Sequence, residues 1–224
     1  MPRLIMFDID GTLTATNSVD DHCYVCAMSE HLDAAIDTDW SHYQHVTDSG
    51  ITAALFEKHR RPMSELSMVR RRFVQLIEDA LRTNPECCEQ VRGAAAFLET
   101  LRRTPDLVIA LATGGWSASA NAKLRHAGIN IDDLAFASAD DAHARVDIMM
   151  ASYRRVPGVK KDITEVIYFG DGAWDAEASE RLGWRFIGIG EKIRAVRLRE
   201  RAAYPVFSDF SDIGQILAEI GVGQ

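Results

Sequence analysis

The chain has no long apolar run, no surplus of positive charge and few cysteines, and each shortage removes a class of function. Its first apolar stretch, Leu4 to Phe7, is broken by Asp8, so it is neither a secretory core nor long enough to cross a bilayer. No membrane association is expected, and the default expectation is a cytoplasmic protein. With 25 Lys and Arg against 33 Asp and Glu, the formal net charge is −8. Such a chain is not drawn to nucleic acid or to an anionic membrane surface. The four cysteines, Cys23, Cys26, Cys87 and Cys88, include an adjacent pair that is awkward for a disulfide, which fits a reducing compartment. Cys23 and Cys26 have the spacing of half a zinc or redox site. The Cys87–Cys88 pair does not supply the other half, so the thiols read as buried or idle. There is no internal repeat and no low-complexity segment.

What is present is ordinary globular composition, 47% hydrophobic and 26% charged. At 224 residues the chain is long for one domain and short for two, which suggests one domain carrying an insertion. "RLIMFDID" at the N-terminus reads as a strand buried on both faces, because an apolar run leads into the aspartates. "DLVIALATGG" (106–115) and "EVIYFGDG" (165–172) repeat the design, with shorter versions at 134–138 and 185–190. Helical patterns lie between them: "GAAAFLETLRR" ends before Pro105, and "WSASANAKLRHAG" stops at Gly128. Strands alternating with helices predict an α/β parallel sheet. Residues 15–86 contain helical segments and no comparable strand. One of them begins with Ser18 and Asp21 spaced as a capping box, and the region reads as a helical insertion.

The strand ends carry the chemistry. Asp8 and Asp10, two apart on an extended strand, are expected to project together from its carboxyl end, where open parallel sheets bind ligands. "LATGG" places Thr113, Gly114 and Gly115 at a helix start suited to an anion, and "GDGAWD" supplies Asp171 and Asp175. Each signal is weak alone; together at three strand ends they are strong. Converging carboxylates repel one another unless a cation lies among them, and a hard, oxygen-liganded ion that also touches phosphate points to Mg²⁺. A positive side chain is also needed to balance a phosphate. The candidates are Lys123, Arg125, Arg145, Lys160 and Lys161.

"DIDGT", "LATGG" and "GDGAWD", in this order around an insertion after the first, resemble the haloacid dehalogenase (HAD) superfamily. The closer likeness is to its phosphatases with a helical cap, phosphoglycolate phosphatases in general appearance. The resemblance implies a Rossmann-like parallel sheet core (residues 1–14 and 87–224) and an inserted all-helical cap (15–86). It implies that Asp8 is the nucleophile attacking phosphorus, that Asp10 is the acid/base, and that Thr113 with Gly114 binds phosphate. It also implies Mg²⁺ held by Asp8, the main-chain carbonyl of Asp10, and Asp171, with support from Asp175. Arg145, 26 residues before Asp171, stands where capped relatives often have lysine, and Lys160 is the runner-up. Arginine would present a planar fork in place of a point charge.

The implied activity is hydrolysis of a small phosphorylated metabolite through an aspartyl-phosphate. A sugar-phosphate mutase shares this chemistry and stays open. A catalytically silent binding or regulatory module is disfavoured by the complete set of aspartates. Phosphonate-cleaving relatives replace the second aspartate and use a cap lysine; with Asp10 present, Lys58, the sole lysine of the insertion, reads as an exposed charge. Substrate choice belongs to the cap. In residues 37–51, Trp40, His42, Tyr43, His45, Thr47, Asp48 and Ser49 are concentrated where they could face the leaving group, with His45 and Thr47 the candidates for substrate contact, set against the alternative that this stretch caps helix ends. Arg70, Arg71 and Arg72 read as the solvated side of a helix whose Val69, Phe73, Leu76 and Ile77 face inward. Trp116 is expected beneath the phosphate loop, and Trp174 against cap or substrate.

Overall fold

Alternation of apolar runs with amphipathic segments produces an α/β layer structure, seen in a computed structural model that describes residues 2–157, 163–190 and 204–222. Six parallel strands form one sheet in the order β3-β2-β1-β4-β5-β6. They are β1 (Arg3–Phe7), β2 (Leu107–Ala112), β3 (Ala135–Ala137), β4 (Glu165–Gly170), β5 (Arg185–Ile189) and β6 (Val206–Phe207). The central strand shows why its sequence is apolar without alternation. Ile5 and Phe7 point into one hydrophobic cluster, Leu4 and Met6 into another on the opposite face, and all four are fully buried. Phe7 stacks on Phe169 of the neighbouring strand with ring centres 4.9 Å apart.

Among the described residues, five helices accompany the sheet: α4 (Ala94–Arg103), α5 (Ser117–His126), α6 (Arg145–Arg155), α7 (Ala173–Leu182) and α8 (Ile213–Glu219). Helix α4 ends at Thr104 and α5 runs out at Ala127, with Gly128 at φ +72°, as Pro105 and Gly128 foretold. Helices α1 (Asn17–Leu32), α2 (Asp48–Lys58) and α3 (Leu66–Thr83) fall inside residues 15–86. They build a hydrophobic cluster of their own, into which Trp116, Ala122 and Ala139 of the α/β part also pack. Val69, Phe73, Ile77 and Leu81 form the buried stripe of α3 at four-residue spacing. Of the outward arginines, Arg70 pairs with Asp140 and covers the Trp116 ring at 5.6 Å, while Arg72 forks onto Glu30.

Two sequence readings need correction, and one element was not foreseen. Strand β1 ends at Phe7, so Asp10 does not lie on it; the Ile9 carbonyl accepts from the N–H groups of Thr12, Leu13 and Thr14, winding residues 9–14 into a turn. The capping box at Ser18 and Asp21 does not form, because α1 begins at Asn17 and the residue before it, Thr16, gives its hydroxyl to Asp10. Strand β6, two residues long, carries no apolar run from which it could be foreseen. Lys160 and Lys161 lie outside the described residues.

Candidate active site

In the order 3-2-1-4-5-6, chain connections leave β1 in opposite directions, and the crevice this opens at the carboxyl ends is the place for a ligand. Asp8 follows β1, Thr113 follows β2 and Asp171 follows β4. All three line a cavity of about 320 Å³, together with Asp10, Gly114, Gly115 and Arg145. Asp175, fully buried on α7, stands behind them and accepts the Gly172 N–H at 3.0 Å.

Two carboxylates on one turn have different surroundings. Arg145 Nη1 donates to Asp8 Oδ1 at 3.1 Å and lies 3.3 Å from Asp175 Oδ1, while Nη2 donates to the Val46 carbonyl. Gly114 makes this reach possible: a Cβ there would stand 2.5 Å from Arg145 Nη2. Asp10 instead turns Oδ1 toward Lys123 Nζ, 2.6 Å away, and toward the Thr16 hydroxyl. Lys123 is completely buried and also donates to Asp20 of α1 at 2.5 Å. Thr14 supports Thr16 through a hydroxyl–hydroxyl bond of 2.7 Å. Burial alone would lower the Lys123 ammonium, but the carboxylates of Asp10 and Asp20 overcome it and hold the charge.

Burial, and next the Asp175 charge, push the Asp8 carboxyl well above the ordinary range, against the pull of Arg145. Asp175 is raised by burial too, opposed first by Arg145. One oxygen from each of Asp8, Asp171 and Asp175 lies within 4.8 Å of the others. Asp175 Oδ1 is buried without a hydrogen bond among the described residues. An all-carboxylate set under strong mutual repulsion, with an orphaned oxygen, fits a hard divalent cation. Asn17 Nδ2 donates to Asp171 Oδ2 at 3.0 Å. Gly11, at φ +78°, leaves room for that carboxylate, which any Cβ there would overlap.

The model of the haloacid dehalogenase-like hydrolases matches residues 2–183, a span that carries every strand end just described. The chain belongs to that family. No curated protein matches it in sequence. Its fold is shared by solved HAD-like structures at low identity. A hydrolase from Pseudomonas syringae is 21% identical, with 98% of this chain and 99% of that one covered and a TM-score of 0.74. CbbY from Rhodobacter sphaeroides, in complex with phosphate, is 20% identical over 96% and 97% of the two chains, with a TM-score of 0.67. A HAD hydrolase, family IA, variant 3, from Entamoeba histolytica is 16% identical over 95% of each chain, with a TM-score of 0.70.

Within this HAD-like frame, the structure brings Asp8, Asp10, Thr113, Gly114, Arg145 and Asp171 to one cavity. Thr113 is buried, and its hydroxyl accepts the Gly115 N–H at 3.1 Å. The two residues put forward for substrate contact fare differently. Thr47 borders the cavity, but its hydroxyl caps α2 by accepting the Gly50 N–H and donates to the His143 carbonyl. His45 borders a neighbouring hollow beside Arg181 instead. Lys58 is exposed at the end of α2 and borders no part of the cavity. Trp116 is buried against Tyr24 and Phe73, and the Trp174 ring lies across Gly172 at the cavity wall.

Sequence reasoning missed Asp20 and Tyr24, named Asp48 only as one of several polar side chains in residues 37–51, and gave Lys123 only a phosphate-balancing role. Asp20 and Tyr24 are four apart on α1 and so share a face, the one signal that was available. Asp48 accepts the Trp116 N–H at 2.8 Å and its own N–H donates to the Gly114 carbonyl, which ties α2 to the turn after β2.

Proposed function

We propose that this hydrolase releases phosphate from monoesters of small metabolites, with Asp8 attacking phosphorus and Asp10 moving the proton. The observation that carries the reading is the unequal treatment of the two carboxylates. Asp8 is steered by Arg145 through Oδ1, which leaves Oδ2 without a protein partner among the described residues. Asp10 is anchored through Oδ1 by Lys123 and Thr16, with Oδ2 on the side of Gly115. One is set up to attack and the other to exchange a proton.

Uncatalysed hydrolysis of such esters is slow enough that accelerations up to ~10²¹ are asked of enzymes, so no single device suffices. Asp8 Oδ2 displaces the alcohol and becomes an aspartyl-phosphate, while Asp10 delivers a proton to the departing oxygen. Asp10 then takes a proton from the water that attacks this intermediate, freeing phosphate and restoring Asp8. Thr113, the Gly114 N–H and Arg145 hold the non-bridging oxygens through both steps. Asp8, Asp171 and Asp175 would hold Mg²⁺, with the Asp10 carbonyl as a further ligand. When bound, the ion supplies positive charge to the phosphoryl group and relieves the carboxylate repulsion.

Residues 15–86 act in this reading as the cap that closes the cavity and chooses the leaving group. CbbY, whose structures contain phosphate and Xylulose-(1,5)bisphosphate, lends support to a small phosphorylated substrate through its shared fold. The test is inorganic phosphate release from a panel of phosphorylated metabolites, with Mg²⁺ or chelator, comparing the native protein with Asp8→Asn. Release that needs both Mg²⁺ and Asp8 is expected. Phosphoryl exchange between sugar phosphates without net release would replace this reading with a mutase, and no turnover of any kind would replace it with a binding module.

A further inference from the structure

The part of the cavity facing α1 and α2 has a composition that bears on the leaving group. Its walls include Asp20, Asp48, Tyr24, Trp40 and, from the rim of α7, Trp174. Arg145 is the sole Lys or Arg among the described residues lining the cavity, and it is committed to Asp8, Asp175 and Val46. The other cation, Lys123, is withdrawn behind the wall and shared between Asp10 and Asp20. Three carboxylates, those of Asp10, Asp20 and Asp48, therefore face one ammonium.

Asp48 is the one left over. It is 8% exposed, and its carboxylate receives a single hydrogen bond among the described residues, from the Trp116 N–H to Oδ2. Oδ1 accepts no hydrogen bond among the described residues. Burial, and next the charge on Asp20, push this carboxyl well above the ordinary range, against the weaker pull of Lys123, which is bound to Asp10 and Asp20 instead. Tyr24 and Trp40 line the same cavity: the Tyr24 hydroxyl donates to the Asp48 carbonyl at 3.3 Å, and the Tyr24 and Trp40 rings meet edge to face at 6.2 Å. A largely buried carboxylate in a cavity walled by Trp and Tyr rings is the environment in which an organic ammonium loses water at least cost.

We propose that the group esterified to the phosphate is positively charged: the substrate is the phosphomonoester of a small amino alcohol, its ammonium seated between Asp48 and the rings of Trp40 and Tyr24. The inference rests on the phosphatase reading above. It goes further in excluding leaving groups that bear a carboxylate or a second phosphate, which would meet acids with no cation to receive them. A cavity of about 320 Å³ suits a phosphate with a short aminoalkyl arm.

The experiment compares kcat/KM for phosphoethanolamine and phosphocholine with that for glycerol phosphate and phosphoglycolate, using p-nitrophenyl phosphate as a general reporter of phosphatase activity. The cationic esters should lead the neutral and anionic ones by about tenfold or more, the scale of one buried charge contact with an aromatic face. Asp48→Asn and, separately, Trp40→Ala should each shrink that ratio. Circular dichroism and the Tm of each variant establish that it is folded before its ratio is read. Preference for glycerol phosphate or phosphoglycolate, or a ratio unmoved by both substitutions, overturns the proposal while p-nitrophenyl phosphate turnover keeps the phosphatase reading. No turnover even of p-nitrophenyl phosphate removes both.

Discussion

Lys123 is the residue on which the Asp10 carboxylate leans, and its burial makes the consequence of losing it calculable. Its ammonium satisfies Asp10 and Asp20, 113 and 103 residues away in sequence, within a fully buried site. Lys123→Met removes the charge and leaves two carboxylates facing each other, the case in which breaking a buried pair costs about 3–5 kcal/mol. Urea denaturation should show that loss, and adding Asp20→Asn should recover part of it because one of the two stranded acids is then gone. Gly11→Ala acts on the other carboxylate group: its Cβ overlaps Asp171 and its φ of +78° disfavours alanine. The variant should need more Mg²⁺ for half-maximal phosphate release than the native protein; an unchanged Mg²⁺ requirement would separate Asp171 from the metal. The residues that end strands were legible because apolar runs announce where a strand stops. The pairing of Lys123 with Asp10 and Asp20 was not, since an ion pair spanning a hundred residues leaves no local pattern.

Among the elements, the helices of the insertion hold together through aromatic packing more than through capping. Phe73, fully buried on α3, meets Tyr24 edge to face at 5.9 Å and Trp116 at 5.7 Å, joining the insertion to the turn after β2. Phe73→Ala should cost about 3–5 kcal/mol of stability, measured by denaturant unfolding. The amino end of α2 is docked on the core by four hydrogen bonds among the described residues: Thr47 to the His143 carbonyl, Ser49 to the Ala142 carbonyl, the Asp48 N–H to the Gly114 carbonyl, and the Trp116 N–H to Asp48 Oδ2. Any opening of the insertion over the cavity has to break them. The periodicity of α3 and the two-faced apolar strands were readable in advance because burial writes them directly into the sequence. The start of α1 was not, because Thr16, the residue before the helix, serves Asp10 instead of the helix end.

At the scale of the whole molecule, the concentration of acids at one cavity couples stability to pH. Burial raises Asp20 to about 7 and pushes Asp8 and Asp48 well above the ordinary range. In the metal-free protein these groups hold protons in the folded state that the unfolded chain has already lost above about pH 4. Stability from this source is complete below that point and is lost as pH rises through the folded values, toward about 7 for Asp20. Thermal unfolding in chelator should therefore give a Tm that falls between about pH 5 and about pH 8, and Asp20→Asn should flatten the slope. Added Mg²⁺ should recover more stability at the upper end, where the carboxylates are charged, and a Tm indifferent to Mg²⁺ at that end would contradict a cation among them. Hydrolysis through an aspartyl-phosphate requires Asp8 to accept the phosphoryl group. The measurement that tests this most directly is acid quenching of the protein with acetyl phosphate and Mg²⁺, followed by peptide mass mapping. The prediction is one added phosphoryl group on the peptide containing Asp8, absent in Asp8→Asn and with chelator. A phosphoryl group on any other residue, or hydrolysis that persists undiminished in Asp8→Asn, would contradict it.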